Sequence, residues 1–388
     1  MTLLNRKTTI LSCLIGSFFA SLTQAQEELK FEAQTIDAEV EIGYGIALGD
    51  VNGDGKTDIL LADKKEFSWY ENPSWKENTL LKNLTLRDNV CIAAADIDGD
   101  GKVEVAVGGQ WNPGETNDPK ASGSVHMLER PETAGAPWKA IQLHNDPTIH
   151  RMRWVKAEDG KHHLVVLPLH GIGNAKGAGE NGVNVRVYHP DENTPDQWKH
   201  EVIEKSLHVT HNFDDIEGDI LVGGAEGIVQ RSVLDGEERD ARIITPENST
   251  PPTQGVGEVR QGSTFIAAIE PLHGNELVVY ERKSTGENWI RTTLTDALNQ
   301  GHALAVADLN GNGSEQVVVG WRKPDKDGKV GIKVFSRKDD GTWASQWVAD
   351  NTVAVEDLKV ADLDGDGKLE IIAAGRDSGN LVIFWNKT

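Results

Sequence analysis

One acidic, glycine-studded phrase recurs four times in this chain of 388 residues and constrains its fold more than any bulk property. It reads Asp50-Val51-Asn52-Gly53-Asp54-Gly55-Lys56-Thr57-Asp58, then Asp96-Ile97-Asp98-Gly99-Asp100-Gly101-Lys102-Val103-Glu104. A looser copy is Asp308-Leu309-Asn310-Gly311-Asn312-Gly313-Ser314-Glu315, and the last is Asp362-Leu363-Asp364-Gly365-Asp366-Gly367-Lys368-Leu369-Glu370. Oxygens at alternating positions, with glycines that let the backbone curl, suit a hard cation that takes about six to eight oxygen ligands. The spacing resembles the first half of an EF-hand loop, but no Glu stands at the twelfth position and no helical pattern flanks it. Apolar runs flank it instead, such as Ile46-Ala47-Leu48 before the first copy and Ile59-Leu60-Leu61 after it. The expectation is a repeated calcium-binding strand-loop-strand hairpin. Its ligands are Asp50, Asn52, Asp54 and Asp58; Asp96, Asp98, Asp100 and Glu104; Asp308, Asn310 and Asn312; and Asp362, Asp364, Asp366 and Glu370. Plain Asp-Gly turns would use the same residues. Fourfold recurrence of the spacing decides for calcium, in a structural role.

Between the two pairs of phrases, degenerate copies keep the strand pattern and lose the acids. They run from His150 to Leu169, from Val209 to Gly223 and from Val256 to Ile269, which makes seven units. Most units add a third strand, as in Glu66–Tyr70 or Glu276–Tyr280, and a more polar fourth that often carries Trp, as in Trp75–Leu81. Short strands in sets of four at even spacing describe propeller blades. The last unit stops after its third strand, Leu381–Trp385, while Leu29–Ile36 stands alone at the other end. The prediction is a single all-β domain over residues 26–388, a seven-bladed β-propeller whose N-terminal strand completes the last blade and leaves no long open edge.

Residues 1–25 read as a secretory signal peptide: Arg6 and Lys7, an apolar run from Ile10 to Leu22, then Thr23-Gln24-Ala25. No other segment approaches a transmembrane helix in length. The net charge of −22 becomes more negative once Arg6 and Lys7 are removed, which argues against nucleic acid or anionic membranes as partners. Only Cys91 remains after the leader, so no internal disulfide forms. A chain exported without disulfides points to a periplasmic or secreted protein.

Of twelve histidines, five fall where inner strands start or second strands end, the face on which propellers usually bind ligands. His150, His211 and His302 open inner strands; His170 and His273 end second strands in the matching phrases Pro168-Leu169-His170-Gly171 and Pro271-Leu272-His273-Gly274. Imidazoles from separate repeats meeting at one rim suggest a transition metal, zinc foremost, with an open position for substrate. His126, His144, His162, His163, His189 and His200 lie mid-strand, on outer strands or on the far face and read as ordinary surface or packed side chains, with His208 on the borderline. Tyr44, Asn89, Arg151, Glu258, Glu356 and Asp357 start inner strands, and Trp111, Trp321, Arg322 and Arg376 follow second strands. Aromatic faces and arginine forks suit sugars, so Trp111, Trp321, Arg322, Arg376, Asn89 and Glu258 are assigned to a small-molecule or oligosaccharide substrate. Gly177-Ala178-Gly179-Glu180-Asn181-Gly182 matches a dinucleotide fingerprint by letter, but no helix follows to receive a phosphate. The loop from Gly171 to Gly182 is a candidate lid.

The repeats resemble the FG-GAP/VCBS type over nearly the whole chain after the leader, which implies a propeller and nothing narrower. Ile149-His150-Arg151-Met152-Arg153-Trp154, Leu167-Pro168-Leu169-His170-Gly171, Val209-Thr210-His211-Asn212-Phe213, Pro271-Leu272-His273-Gly274 and Gly301-His302-Ala303-Leu304 resemble the propeller domain of aldos-2-ulose dehydratases, also called 1,5-anhydro-D-fructose dehydratases. That resemblance implies a carbon-oxygen lyase that removes water from a keto-sugar, with a divalent metal in the propeller. The chain leaves no room for the cupin domains of the fungal enzymes, so a later isomerisation is not implied. Elimination beside a ketone needs a proton acceptor, a stabiliser of the enolate oxygen and an acid for the departing hydroxyl. On this basis His150, His211 and His302 hold zinc or another divalent metal, His170 and His273 carry protons, and Tyr44 and Arg151 assist the oxyanion or leaving group. Two alternatives stay open: a polysaccharide lyase acting by β-elimination at a uronate, and a non-catalytic, calcium-stabilised adhesion propeller.

Overall fold

The computed structural model describes residues 28–388 apart from 134, 175–178, 192, 195–196 and 239–242. The expected leader lies outside the described residues, as does part of the candidate lid and of the Gly177–Gly182 phrase. Among the described residues there are strands and turns but no α-helix, hence none long and apolar enough to cross a membrane. The described residues form twenty-eight strands in seven sheets around one axis. The inner strands are β2 (Gly45–Gly49), β6 (Cys91–Ala95), β10 (Ile149–Lys156), β14 (Thr210–Ile216), β18 (Glu258–Gln261), β22 (Gly301–Ala307) and β26 (Val355–Ala361). Each touches the next around the ring, and β26 touches β2.

Five blades follow the expected four-strand order. Blade seven is closed as predicted: β1 (Phe31–Asp37) pairs antiparallel with β28 (Asn380–Asn386), running from Phe31 opposite Asn386 to Asp37 opposite Leu381. Leu29, expected inside that strand, instead packs beside it, exchanging backbone hydrogen bonds with the Gln346 amide at 3.1 and 2.7 Å. Blade four shows three strands, with isolated bridges from Arg231 to Glu238 and from Ile228 to Ile244 on its outer side. Blade five gains a fifth, two-residue strand, Ser249–Thr250, parallel to Trp289–Thr295.

Second strands are buried on both faces and so read as unbroken apolar runs, such as Val317-Val318-Val319 in β23 (Gln316–Trp321). Their glycines mark where the neighbouring blade presses in. A Cβ on Gly320 would come within 2.7 Å of Val355, and one on Gly223 within 2.7 Å of Val256, so side chains are excluded at these inter-blade contacts.

The acidic phrases form the turns between inner and second strands. Asp50 accepts the amides of Gly53 and Gly55, both at 2.6 Å, and Gly53 and Gly55 have φ of +84° and +82°, a conformation that favours glycine. Asp96 and Asp362 repeat this pattern, while Asp308 takes the amides of Asn312 and Gly313. The ninth position has one shared job: Asp58, Glu104, Gln316 and Glu370 each accept the amide of the phrase's second residue, at 2.7–3.0 Å. A neutral glutamine performs it as well as a carboxylate, so this position straps the hairpin whatever else it does. Asp58 is fully buried and spends both oxygens on the amides of Val51 and Asn72, which takes it out of the ligand set expected of it. Burial raises its carboxyl to about 6. In the second and fourth hairpins, oxygens of Asp96, Asp98 and Glu104, and of Asp362, Asp364 and Glu370, lie within 4.8 Å of one another. That is close enough for one ion.

His126, on β8 (Ser124–Glu129), is buried with both ring nitrogens unpartnered, and desolvation lowers its pKa from 6.5 to about 4. The folded state therefore prefers the neutral ring: its stability is complete above about pH 6.5 and drains away as pH falls toward 4. His126→Leu is expected to remove ~2 kcal/mol of the stability lost between pH 7 and pH 5, measured by urea denaturation. An unchanged acid limb would show that His126 protonates freely in the fold.

Candidate functional site at the channel rim

Four inner strands carry a β-bulge at the same place. The register skips His150 in β10, His211 and Asn212 in β14, His302 in β22 and Glu356 in β26. A bulge inserts an unpaired residue and re-aims its side chain. Equivalent positions on successive blades thus turn their side chains into one ring at the channel mouth. His273 joins from the loop after β19 (Ile266–Glu270), whose tight return needs Gly274: a Cβ there would lie 1.9 Å from the Glu270 carbonyl oxygen. Glu270 is itself anchored, fully buried against Thr253 at 2.9 Å and Arg291 at 2.9 Å.

Three imidazoles converge. Nitrogens of His211, His273 and His302 lie within 4.8 Å of one another, with the Nε2 atoms of His211 and His273 2.6 Å apart. The ring centroids of His211 and His302 are 4.8 Å apart, and those of His273 and His302 5.0 Å. Behind them the opposite nitrogens are held. Nδ1 of His211 donates to Glu258 Oε1 at 3.0 Å, and Nδ1 of His302 to the Glu356 carbonyl at 2.5 Å. Each hydrogen bond places the ring proton on Nδ1 and leaves Nε2 unprotonated, that of His211 facing His273 Nε2, the tautomer that metal-binding histidines use.

The trio differs from the expected set by one member. His273 stands where His150 was assigned. His150 instead lies flat on Trp111, with centroids 4.9 Å apart, and tilts against His211 at 4.6 Å. Both its nitrogens are buried and unpartnered. His170 is half-buried with Nδ1 unpartnered, outside the chain of ring contacts that links the other four.

Burial drives the electrostatics of the ring. Desolvation, then the nearby Arg151 and Arg322 charges, hold His211 well below 6.5, and desolvation likewise leads for His150 and His302. His273 as a residue is exposed, yet desolvation of its ring, and after that its proximity to His211, lowers it to about 2. All four are neutral at pH 7, the form that coordinates metals. Desolvation raises Glu258 and Glu356 while the arginines beside them pull the other way. Glu356 pairs with Arg322 at 3.2 Å and Arg376 at 3.3 Å. Arg376 also lies over Tyr44, whose hydroxyl is raised to about 12 by burial and reaches Asp88 at 3.4 Å.

The residues assigned to substrate sort differently in the fold. Trp321 is 1 % exposed, gives its indole N–H to the Lys329 carbonyl and packs on Trp347, so it belongs to the core. Asn89 is buried and spends its amide on the Asp63 carbonyl. Glu258 orients His211 and Asn212 and pairs with Arg260 at 3.4 Å rather than facing the mouth. Trp111, Arg322 and Arg376 do stand at the rim with Tyr44, and Arg151 lies beneath it with Nε buried and unpartnered. Farther down the axis a cavity of about 210 Å³ is lined by Leu48, Trp154, Asn212, Asp215 and Lys359; none of the five rim histidines lines it.

Glu258→Ala would leave His211 Nδ1 and the Asn212 amide buried without their acceptor and would take the nearer carboxylate from Arg260, with Asp214 remaining 4.0 Å away. It is expected to cost about 3–5 kcal/mol in urea denaturation, with Glu258→Gln markedly milder. A loss under about 1 kcal/mol would mean that the carboxylate does not hold the ring.

A model of the FG-GAP-like repeat matches residues 31–107, which span the closing strand, blade one and the first half of blade two. No curated protein matches the chain. Among solved structures, the chain is similar to one in the crystal structure of the mitotic checkpoint complex, with 12 % identity, a TM-score of 0.56 and coverage of 98 % of this chain and 99 % of that one. It is also similar to a chain in the crystal structure of BBS1N in complex with ARL6DN, soaked with lead, at 14 % identity, TM-score 0.53, and 92 % and 95 % coverage. The AfRom2 CNH domain gives 11 % identity, TM-score 0.51, and 91 % and 99 % coverage. At these identities the likeness is one of fold alone, and none of the descriptions names a sugar-active enzyme. The chain is a seven-bladed β-propeller that carries an FG-GAP-like repeat.

Proposed function

We propose that the channel rim is a metal-assisted lyase site that eliminates water from a keto-sugar such as 1,5-anhydro-D-fructose, in a periplasmic or secreted protein whose acidic hairpins take calcium for rigidity. The observation that carries this reading is the convergence of His211, His273 and His302 with two of their far nitrogens already anchored. That donor set fits a divalent metal of zinc type: neutral imidazoles, Nε2 of His211 and His302 left unprotonated by their Nδ1 hydrogen bonds, and a solvent-facing side at His273. Bound there, such an ion supplies Lewis acidity toward a ketone oxygen.

The chain's own groups would supply the rest. His170, whose Nδ1 is sealed and whose pKa is lowered by burial, is the proton acceptor beside the carbonyl through its Nε2. Tyr44 stays protonated because its pKa is raised, so it donates a hydrogen bond to the leaving hydroxyl or the oxyanion. Arg322 and Arg376, fixed by Glu356, address sugar oxygens, and the Trp111–His150 stack walls one side. With a lowered His170 pKa, the basic form prevails at and above pH 6.5, and activity is lost only as pH drops below that ordinary value.

His302→Ala is expected to lose the rim metal by elemental analysis and on the order of 10³-fold in turnover of 1,5-anhydro-D-fructose. His170→Ala should keep the metal and lose about 10²–10⁴-fold. Full activity in both variants would overturn the assignment. Unsaturated-uronate absorbance released from uronate-capped glycans would redirect it to a polysaccharide lyase. Chelation with EGTA is expected to lower the melting midpoint by about 3–8 °C, an effect that Asp96→Ala combined with Asp362→Ala should shrink. No shift on chelation would remove calcium from the account.

A further inference from the structure

Blade three lacks the acidic phrase; a short turn, Ala157-Glu158-Asp159-Gly160-Lys161, joins β10 to β11 (His162–Pro168). At that end of the blade, away from the rim, His163 on β11 faces His189 on β12 (Val185–His189). They stand one step beyond the pairing of Leu164 with Tyr188. Their Nδ1 atoms are 3.0 Å apart, with the rings at 75°. Each Nε2 turns to a carboxylate: His163 lies 3.4 Å from both oxygens of Asp159, and His189 3.2 Å from Glu201 Oε1 on β13 (Lys199–Glu204).

Protons can be placed from these contacts. A carboxylate only accepts, so each Nε2 carries its ring hydrogen. A neutral imidazole has a single N–H, which leaves both Nδ1 atoms bare and aimed at one another. Two lone pairs at 3.0 Å repel; a cation between them turns the repulsion into coordination.

We propose that His163 and His189 form a second transition-metal site, on the hairpin side of blade three and separate from the rim. Metal–nitrogen distances of about 2.0–2.1 Å with a 3.0 Å separation subtend about 95° at the ion, one edge of a tetragonal or compressed tetrahedral site. Asp159 and Glu201 supply the carboxylate–histidine partnership that orients ligands, and their two negative charges offset the ion and the neighbouring Lys161 and Lys199. The His163 side chain is 6 % exposed and that of His189 is 27 % exposed, so the ion would keep a solvent side where water or a small donor completes its shell. Imidazole nitrogens select zinc, nickel or copper over calcium.

The test uses untagged full-length protein in excess calcium, which fills the oxygen sites. In the His211→Ala/His302→Ala background, titration with zinc or nickel chloride by calorimetry is expected to show one equivalent bound. His189→Asn should abolish it, and Glu201→Gln should weaken it by about 10–100-fold. No uptake in that background, or uptake untouched by His189→Asn, would overturn the site; uptake of a proton without metal would show that the pair shares a hydrogen instead. If the double variant does not fold, His189→Asn in the otherwise native chain should lower zinc uptake from two equivalents to one. One equivalent that answers to His189 and not to His302 would sink the rim metal while leaving this site standing.

Discussion

Seven inner strands share one axis, and how closely their backbones approach decides what the ring can hold. Small residues line those strands: Gly45, Ala47 and Gly49 in β2, Ala93 to Ala95 in β6, and Gly301, Ala303 and Ala305 in β22. Regular pairing around so tight a ring would point large polar side chains at neighbouring blades. The bulges relieve this. By leaving one residue out of register at the mouth, β10, β22 and β26 free His150, His302 and Glu356 from the pleat, and β14 does the same for His211 and Asn212. The rim is therefore a product of strand geometry repeated by the fold, and its members come from blades far apart in sequence.

A buried ring of imidazoles needs fixed partners, since unpaired polar groups in low dielectric are costly. Glu258 and Glu356 meet that need in different ways. Glu258 accepts from His211 with one oxygen and from Asn212 with the other, while Arg260 approaches the second at 3.4 Å. Glu356 offers its backbone oxygen to His302 and its carboxylate to Arg322 and Arg376. Arginine charge is thus neutralised by carboxylates next door rather than by the histidines, which stay uncharged because burial opposes protonation. Arg322 and Arg376, which would otherwise repel a cation, are thus paired, while Arg151 beneath the ring is not.

Much of this was legible in sequence, because repeats advertise themselves. Four copies of one phrase set the hairpins, the apolar runs after them set the second strands, and a last unit one strand short together with a lone N-terminal strand foretold the pairing of β1 with β28. The convergence of histidines followed from counting positions within units. What stayed hidden has a common cause: side-chain direction at irregular positions. The bulge that turns His211 has no residue signature, so nothing showed that His211 would reach Glu258 and make it an anchor instead of a substrate contact. Trp321 ends a second strand and Trp111 lies just past one, yet one faces the core and the other the mouth. Asp58 matched the ligand spacing and still turned inward, because the hairpin's own amides claim its oxygens. His163 and His189 looked like ordinary strand histidines until the β11–β12 register set them face to face.

The same scaffold thus offers two donor chemistries in different places. Hairpin turns expose carboxylate and amide oxygens on short flexible side chains, with backbone amides clamping each acid from behind. Such sites are hard, exposed and adaptable, which suits an ion that accepts irregular oxygen shells. The rim presents nitrogens on stiff rings held by bulged strands, a geometry that admits few positions and favours a smaller, more directional ion. Blade three has no acidic phrase and a shorter turn, and the strands beyond it bring two imidazoles to the end of the sheet at which the neighbouring blade carries acidic side chains. Changing the donor type while keeping the blade would change which cation a given end suits, so a repeat without the acidic phrase can still present donor atoms of a different kind.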